Sequence, residues 1–276
     1  MNHAPLDLRK LASVSSRIRG KLVELSHAAG TPHLASALSC VDILTAAYWG
    51  VLRIDCKRPD ATDRDRFVLS KGHAATALYA TLAERGIIGT DLLDTFGRAG
   101  GMLAEQPSPK CVPGVEWATG SLGHGLGAAI GMALAGRILQ REYRVFVLLS
   151  DGECNEGSVW EAALFAPQHQ LANVTVIIDY NKWQATGRSE EIMSLKPLKA
   201  KWEAFGWDAY ETDGHDLSVL IELMRKVPAM NGKPVAIVAH TVKGKGISFM
   251  ENDNNWHYRI PKAEEVSRAR KELGLE

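Results

Sequence analysis

Three apolar runs of strand length constrain the fold more than any other feature of the sequence. They cover residues 144–150, 174–178 and 234–240, and nearly every position in them is hydrophobic. Strands that are apolar on both faces are typical of a parallel sheet covered by helices on both sides. Helical patterns at 159–170 and 217–227 lie between the runs. The sequence therefore predicts an α/β fold, a doubly wound and mostly parallel sheet with helices on both faces.

The N-terminal part of the chain adds a strand and several helices to this pattern. Apolar residues recur every three or four positions from Leu8 to Leu25, with Asp7 as the expected N-cap and Gly30 as the expected stop. The remaining predicted elements are helices over 41–49, 73–84, 122–139 and from Ala263, a strand over 66–70, and an extended loop over 99–120. We interpret residues 1–276 as one domain.

Composition excludes several classes of function. The 32 basic residues are balanced by 32 acidic ones, which argues against nucleic acid or an anionic membrane as the main partner. We find neither a secretory leader nor an apolar segment of the ~18 residues expected of a membrane span. The four cysteines are scattered, which is typical of reduced thiols. We therefore expect a cytoplasmic protein that binds small molecules.

Two polar residues follow consecutive strands of the predicted sheet. Asp151 ends the first central run, and Asn181 lies thirty residues later at the end of the next. Such a separation fits one strand–helix–strand crossover, so both side chains would meet at the carboxyl edge of the sheet. Their oxygens suit Mg²⁺, and Gly152 would let a phosphate approach the backbone. Either residue alone is as easily a helix cap or a turn residue, but the joint pattern favours a metal–diphosphate site.

The same residues resemble the motif of thiamine diphosphate enzymes. Asp151-Gly152, Glu156-Gly157 and the distal Asn181 match that motif. Ser-Lys-Gly-His at 70–73, Thr-Gly-Ser-Leu-Gly at 119–123 and Trp-His at 256–257 extend the similarity over nearly the whole chain. The chain thus resembles the N-terminal, diphosphate-binding subunit of transketolase in the form that is split into two polypeptides.

This resemblance implies a set of ligands for the cofactor and its metal. Asp151, Asn181 and the backbone carbonyl of Trp183 would bind Mg²⁺, or Ca²⁺ or Mn²⁺ in its place. Gly152 would contact the diphosphate. The positions implied to bind thiamine diphosphate are, in full, His73, Gly120, Ser121, Leu122, Gly152, Asn181 and His257.

Catalytic and substrate roles are implied in the same way. His33 and His257 would face the ketose and exchange protons with it, which suits the ordinary imidazole pKa near ~6.5. Glu156 resembles a glutamate that hydrogen-bonds towards the partner's catalytic glutamate. Gln106 stands where the family has a histidine that contacts the donor ketose, and its amide is neither an acid nor a base near neutral pH.

Two further differences from the family pattern concern the substrate channel. Leu34-Ala35-Ser36 follows His33 in place of Pro-Gly-Gly, and Tyr258 follows His257 in place of a common glycine. Both differences would reshape the channel and alter the choice of sugar. The resemblance leaves His124 ambiguous, and we favour a packing role for it.

The implied function is the transfer of a two-carbon ketol unit from a ketose, phosphorylated in the expected substrates, to an aldose acceptor. The cofactor supplies the hard chemistry, and the protein binds, orients and moves protons. The chain ends at Glu276 with no second α/β domain. We therefore expect a C-terminal transketolase-like subunit to provide the pyrimidine-binding domain and the catalytic glutamate, in an α₂β₂ assembly.

Other functions remain open at this stage. The chain could belong to another thiamine diphosphate class, such as the α subunit of a 2-oxo acid dehydrogenase or a deoxyxylulose-phosphate-type synthase. It could also be a non-catalytic subunit that binds the cofactor or stabilises a partner. A dinucleotide site at the loose GxGxxA of residues 123–128 is not favoured, because no strand is predicted immediately before it.

Overall fold

The structure is a computed structural model that describes residues 6–108, 111–228 and 231–276. Five strands form a sheet in which every neighbouring pair is parallel, in the order β1-β2-β3-β5-β4. The predicted doubly wound α/β fold is therefore confirmed. Along the chain the strands are β1 (Arg66–Leu69), β2 (Val145–Ser150), β3 (Val174–Tyr180), β4 (Asp208–Asp213) and β5 (Val235–His240).

Ten α-helices occur within the described residues, together with shorter helical turns. The α-helices are α1 (Leu8–Ala29), α2 (Leu34–Ser39), α3 (Val41–Thr45), α4 (Ala75–Glu84), α5 (His124–Ile138), α6 (Gly157–Gln168), α7 (Ser189–Met193), α8 (Leu198–Ala204), α9 (Leu217–Met224) and α10 (Ala263–Glu272). Turns of 3₁₀ type span Gly72–Ala74, Thr90–Thr95, Gly152–Asn155 and Asn254–His257.

Helices cover both faces of the sheet, and this explains the apolar runs of the sequence. Phe146 and Leu148 pack into a hydrophobic cluster with residues of α1, α4 and α9. Val145, Val147 and Leu149 point the other way and pack with residues of α5, α6 and α8. All five side chains are fully buried. Alternate residues of a strand point to opposite faces, so a strand covered on both sides is hydrophobic at every position.

Helix α1 begins and ends where the sequence predicts. The Asp7 side chain accepts hydrogen bonds from the backbone N–H groups of Arg9 and Lys10, at 3.1 and 3.3 Å. Gly30 ends the helix at a φ of 66°, and its N–H donates to the Ser26 carbonyl. A left-handed residue after the last turn is a common helix stop, and glycine adopts it without steric strain.

Several elements differ from the sequence expectations. Strand β4 was missed because it is an edge strand whose residues are alternately half-buried and exposed. Helices α2, α7 and α8 were missed because segments of 6, 5 and 7 residues show too little periodicity. The helix expected over 41–49 is α3 followed by a π-helix, Ala46–Val51. The other predicted helices shift by one to three residues at their ends.

Two further expectations concern the loop and the cysteines. On both sides of the gap at 109–110, the described residues from 96 to 123 form turns and bends only. No strand therefore precedes α5 there, which removes support for a dinucleotide site. All four cysteines are free thiols, as predicted. Within the described ranges, the chain has no helix that is both long and apolar enough to traverse a membrane.

Candidate functional site

The carboxyl ends of four strands meet at one edge of the sheet and place the predicted site there. Ser150 of β2 pairs with Asp179 of β3, and Tyr180 of β3 pairs with His240 of β5. The residues that directly follow these strands therefore share this edge. In parallel α/β sheets, ligands bind outside the carboxyl ends of the strands.

Asp151 and Asn181, the predicted metal ligands, are joined at this edge. The Asp151 carboxylate is buried and accepts hydrogen bonds from the backbone N–H groups of Gly152 and Lys182, both at 2.9 Å. The Ser189 hydroxyl donates to it as well, at 2.9 Å. Because Lys182 directly follows Asn181, these contacts hold the two predicted ligands next to each other.

The Asp151 environment suits a bound cation. Burial, supported by the nearby negative charge of Asp179, raises the pKa of Asp151 to about 6, although its three donors favour the charged form. A divalent cation would relieve this penalty. The described residues contain no cluster of three or more His, Cys, Asp or Glu side chains around a metal position. A cation here would thus depend on few protein oxygens, with diphosphate and water completing the shell, as is usual for Mg²⁺.

Trp183, whose carbonyl is the third predicted metal ligand, lies in a short bridge. It pairs with Arg188 in an isolated antiparallel bridge, and its N–H donates to the Asn181 side chain at 3.0 Å. Its indole N–H donates to Asn252 at 2.8 Å. The structure thus places Trp183 beside Asn181, and ligation through its carbonyl stays a prediction.

A buried ion pair lies beneath the predicted metal site. The Lys71 ammonium is 2.5 Å from a carboxylate oxygen of Asp179, and both side chains are fully buried. Asp179 also accepts hydrogen bonds from the hydroxyls of Ser39, at 2.6 Å, and Thr241. Lys71 donates a further bond to the Ser36 carbonyl at 2.8 Å. Burial opposes the charge on Lys71, but Asp179 outweighs it and raises the pKa of this lysine.

Glu153 forms a second buried network that sequence reasoning missed. Its carboxylate is fully buried and accepts hydrogen bonds from the Ser70 hydroxyl and from the backbone N–H of Gly123, the latter at 2.9 Å. The Ser150 N–H donates to it at 3.3 Å. Burial raises the pKa of Glu153. One side chain therefore fixes the ends of β1 and β2 and the start of α5 relative to each other.

Three histidines from distant parts of the chain form one cluster. His33 lies between His73 and His257, with ring centroids 5.5 and 4.8 Å away, and the His73 and His257 rings are 6.3 Å apart. The His33 N–H donates to the His257 carbonyl at 2.8 Å. The structure thus brings together all three histidines that the sequence assigned to cofactor and substrate.

Burial and nearby lysines keep these histidines neutral. Burial lowers the pKa of His33 and His73, with Lys243 and Lys71 adding repulsion, and the pKa of His257 falls to about 3. The Lys243 ammonium lies 3.0 Å from Nδ1 of His257. Nδ1 therefore accepts, and the neutral His257 ring carries its proton on Nε2.

Lys243 is a further site residue that sequence reasoning missed. Its ammonium is buried and donates to the Asn254 side chain at 2.6 Å. Burial, together with Lys71, lowers its pKa to about 8, so the group is mostly charged at neutral pH. The available signal was its position three residues after β5, at the same strand edge as Asp151 and Asn181.

The loop before α5 carries three predicted cofactor residues. Gly120 adopts a φ of 149°, and a Cβ placed on it would lie 1.7 Å from the Gln106 side-chain oxygen. A Cβ on Gly72 would lie 2.6 Å from the Gly120 nitrogen. Both positions therefore require glycine. Leu122 is half-buried, whereas Ser121 is exposed.

Gln106 and Ser121 line a cavity of about 370 Å³ together with His124. Gln106, the predicted substrate residue, is exposed there. The favoured packing role for His124 is not supported, because its side chain is exposed and faces this cavity. Its place at the first residue of α5, directly after the glycine-rich loop, explains the exposure.

Gly152 and Glu156 lie on either side of the short 3₁₀ turn after β2. A Cβ on Gly152 would lie 3.3 Å from Cγ of Gln184, whose buried amide nitrogen has no hydrogen-bond partner in the described structure. This orphan donor faces the region predicted for the diphosphate. Glu156 is the exposed N-cap of α6.

Comparison with known proteins identifies the family. Residues 12–276 match the model described as transketolase, thiamine diphosphate binding domain. One of the two subunits of apulose-4-phosphate transketolase from Phocaeicola vulgatus is 41% identical over 268 residues, which cover 97% of this chain and 95% of the relative. A 6-deoxy-6-sulfo-D-fructose transketolase subunit from a Clostridium species is 40% identical, with coverage of 91% and 90%.

Solved structures agree with the sequence relatives. Transketolase from Campylobacter jejuni superimposes with a TM-score of 0.91 at 26% identity, and the match covers 98% of this chain and 44% of that one. Transketolase from Leishmania mexicana gives the same TM-score and identity, with coverage of 99% and 42%. The chain thus spans a little over two fifths of the length of these enzymes. It belongs to the transketolase family and contains the thiamine diphosphate binding domain of that family.

Proposed function

We propose that this chain is the cofactor-binding subunit of a two-subunit transketolase. The complete enzyme would transfer a two-carbon ketol unit from a phosphorylated ketose to an aldose acceptor. One observation carries the proposal: the neutral cluster of His33, His73 and His257 lies at the same strand edge as the buried pair Asp151 and Asn181. Such a site can bind a diphosphate through a metal and exchange protons with a sugar hydroxyl.

The proposed cofactor site uses groups that the structure holds rigidly. Asp151, Asn181 and the Trp183 carbonyl would bind Mg²⁺, and Gly152 would contact the diphosphate. The nearby ammonium of Lys243 would add a positive charge for the same anion. Gly120, Ser121 and Leu122 would line the aromatic rings of the cofactor. When bound, thiamine diphosphate supplies the nucleophile and electron sink of the reaction.

The histidines would handle the protons of the sugar. Cleavage of the donor ketose requires a hydroxyl to lose a proton, and addition to the acceptor requires a proton to return. His257 carries its proton on Nε2 and can donate it in a hydrogen bond to a sugar oxygen. His33 is neutral and has a buried Nδ1 without a partner in the described structure, so it has capacity to bind a substrate group.

The partner would complete the site. We propose that a C-terminal transketolase-like subunit supplies the pyrimidine-binding domain and the catalytic glutamate, and that two copies of each polypeptide assemble as α₂β₂. The relatives named as transketolase subunits support this arrangement. Glu156 is exposed at the start of α6, as a residue that meets a partner must be in the isolated chain. Residues 1–276 would then form one cofactor-binding domain.

Reconstitution with the candidate partner tests the function. The purified pair, supplied with thiamine diphosphate and Mg²⁺, should convert phosphorylated ketoses and aldoses into new ketose products and should not consume pyruvate. Turnover of pyruvate without ketose transfer would instead indicate another thiamine diphosphate class. Turnover of ketoses by this chain without any partner would refute the two-subunit proposal.

Histidine variants separate catalysis from assembly. His257→Ala should lower kcat by about 10²-fold or more, as expected for loss of a proton-transfer group, while co-purification with the partner is retained. His169→Ala is the matched control, because its exposed ring stacks on Phe165 far from the strand edge. A His257→Ala enzyme with unchanged kcat would contradict the proposed role.

A further inference from the structure

A cavity of about 660 Å³ lies at the opposite end of the sheet from the histidine cluster. Tyr143 and Arg144, which precede β2, and residues 171–173, which precede β3, line it. The last turn of α5 and the segment after α9 complete its wall. Strand β2 has six residues, so roughly 20 Å of sheet separates this cavity from the proposed cofactor site.

Five arginines line this amino-edge cavity: Arg53, Arg137, Arg141, Arg144 and Arg225. The only carboxylates among or beneath them in the described structure are Glu142 and the buried Asp65. Three positive charges are therefore left unbalanced in one concave surface, although the whole chain has a net charge of zero. Charge concentrated in a concave surface focuses the potential there and attracts anions.

The arginines are fixed in place without being neutralised. Arg53 and Arg144 share the single carboxylate of Asp65, at 3.0 and 2.5 Å. Arg225 donates two hydrogen bonds to the neutral Gly50 carbonyl, at 3.0 and 2.8 Å. A guanidinium held by a carbonyl keeps its full charge and its remaining N–H donors.

Arg137 and Arg141 complete the cationic wall. Arg137 donates to the His169 carbonyl at 2.5 Å, which again leaves its charge unpaired. The Arg141 side chain makes no hydrogen bond or ion pair with any described residue. Apolar groups alternate with these cations in the lining, including Leu171 and the ring of Tyr143.

We propose that the amino-edge cavity binds a small organic phosphate carrying two or more negative charges. Arginine forks match phosphate oxygens in geometry, and the apolar lining would contact the carbon skeleton. The volume falls within the range of small-molecule sites. A nucleoside diphosphate and a sugar bisphosphate share this chemistry. The site is distinct from the proposed cofactor site and would bind its ligand independently of it.

Calorimetric titration of the full chain tests this proposal. The probes are ADP, a hexose bisphosphate and inorganic phosphate, each in a low-salt buffer. We expect saturable binding of at least one organic probe with a Kd below about 1 mM, which the double variant Arg137→Gln/Arg141→Gln weakens at least tenfold. The variant should stay folded because Arg141 has no partner to lose. Arg98→Gln, an exposed arginine in a distant loop, is the matched control.

A parallel titration excludes the cofactor site. In the Asp151→Ala chain, binding of the organic probe should persist with unchanged affinity, because Asp151 lies at the other end of the sheet. Binding of ADP alone or of the bisphosphate alone would support the site and identify its ligand class. Three results would overturn it: no organic probe bound, equal affinity in the double variant and Arg98→Gln, or inorganic phosphate bound as tightly as either organic probe.

Discussion

Replacing Asp151 by asparagine should stabilise the metal-free chain and abolish its response to the cofactor. The Asp151 carboxylate is buried, and burial raises its pKa to about 6. In the absence of a cation, ionisation of this group at pH 7 therefore works against folding. Asparagine has nearly the same shape and carries no charge. The substitution should remove an electrostatic penalty and at the same time remove a predicted metal ligand.

The size of this effect follows from the structure. A pKa of about 6 in place of 3.8 corresponds to ~3 kcal/mol at pH 7, since each tenfold change in proton affinity is worth about 1.4 kcal/mol. Asparagine can still accept from Lys182 N–H and Ser189, but its NH₂ group would face the N–H of Gly152, at a cost of about 1–2 kcal/mol. The net gain is ~1–2 kcal/mol, or roughly 2–4 °C in Tm.

The pH dependence provides an independent check. Because the folded-state pKa of Asp151 lies above its unfolded value, the folded chain binds more protons between them. This contribution to stability is complete below about pH 4 and is lost as the pH rises to about 6. Asp151→Asn should remove that loss. The Tm difference between variant and wild type should therefore grow from pH 4 to pH 7.

Thermal unfolding in EDTA, with and without later addition of Mg²⁺ and thiamine diphosphate, measures both effects. Wild type should gain about 3 kcal/mol when the ligands reach 100 times their Kd, whereas the variant should gain nothing. Asp216→Asn is the matched control, because Asp216 caps α9 and asparagine caps a helix equally well. A metal-free variant less stable than wild type, or a variant that still responds to the ligands, would refute this reasoning.

Three further predictions concern the buried networks and the substrate loop. Lys71→Met and Asp179→Asn should each cost about 3–5 kcal/mol in urea unfolding, and the double variant should cost clearly less than their sum, because each single change leaves a buried charge unpaired; additive costs would contradict the pairing. Lys243→Met should raise the pKa of His257 by removing its repulsion, so the acid limb of the pH–kcat profile of the reconstituted enzyme should move to higher pH, and an unmoved limb would exclude this coupling. Gln106→His should change kcat/KM among donor ketoses while the Kd of thiamine diphosphate stays within about twofold, because Gln106 lines the exposed cavity; a donor profile identical to wild type would argue against substrate contact.

Much of the fold is determined locally and could be read from the sequence. The apolar runs of β2, β3 and β5 must be buried on both faces, and only a sheet covered by helices on both sides satisfies them. The caps of α1 are equally local, since Asp7 and Gly30 act on residues within one turn. The motif also placed Asp151 and Asn181 at one edge, because the crossover between parallel strands has a fixed geometry.

Only the tertiary structure decided the interactions that complete the site. Lys71 meets Asp179 across 108 positions, and Glu153 meets Ser70 across 83, so no local pattern indicates either contact. Strand β4 is recognisable only through its pairing with β5, because an edge strand needs no continuous apolar run. The neutral state of His257 depends on burial and on Lys243 in the folded chain. Sequence periodicity reports which faces are buried, whereas the partners of a buried charge are set by the packing of distant segments.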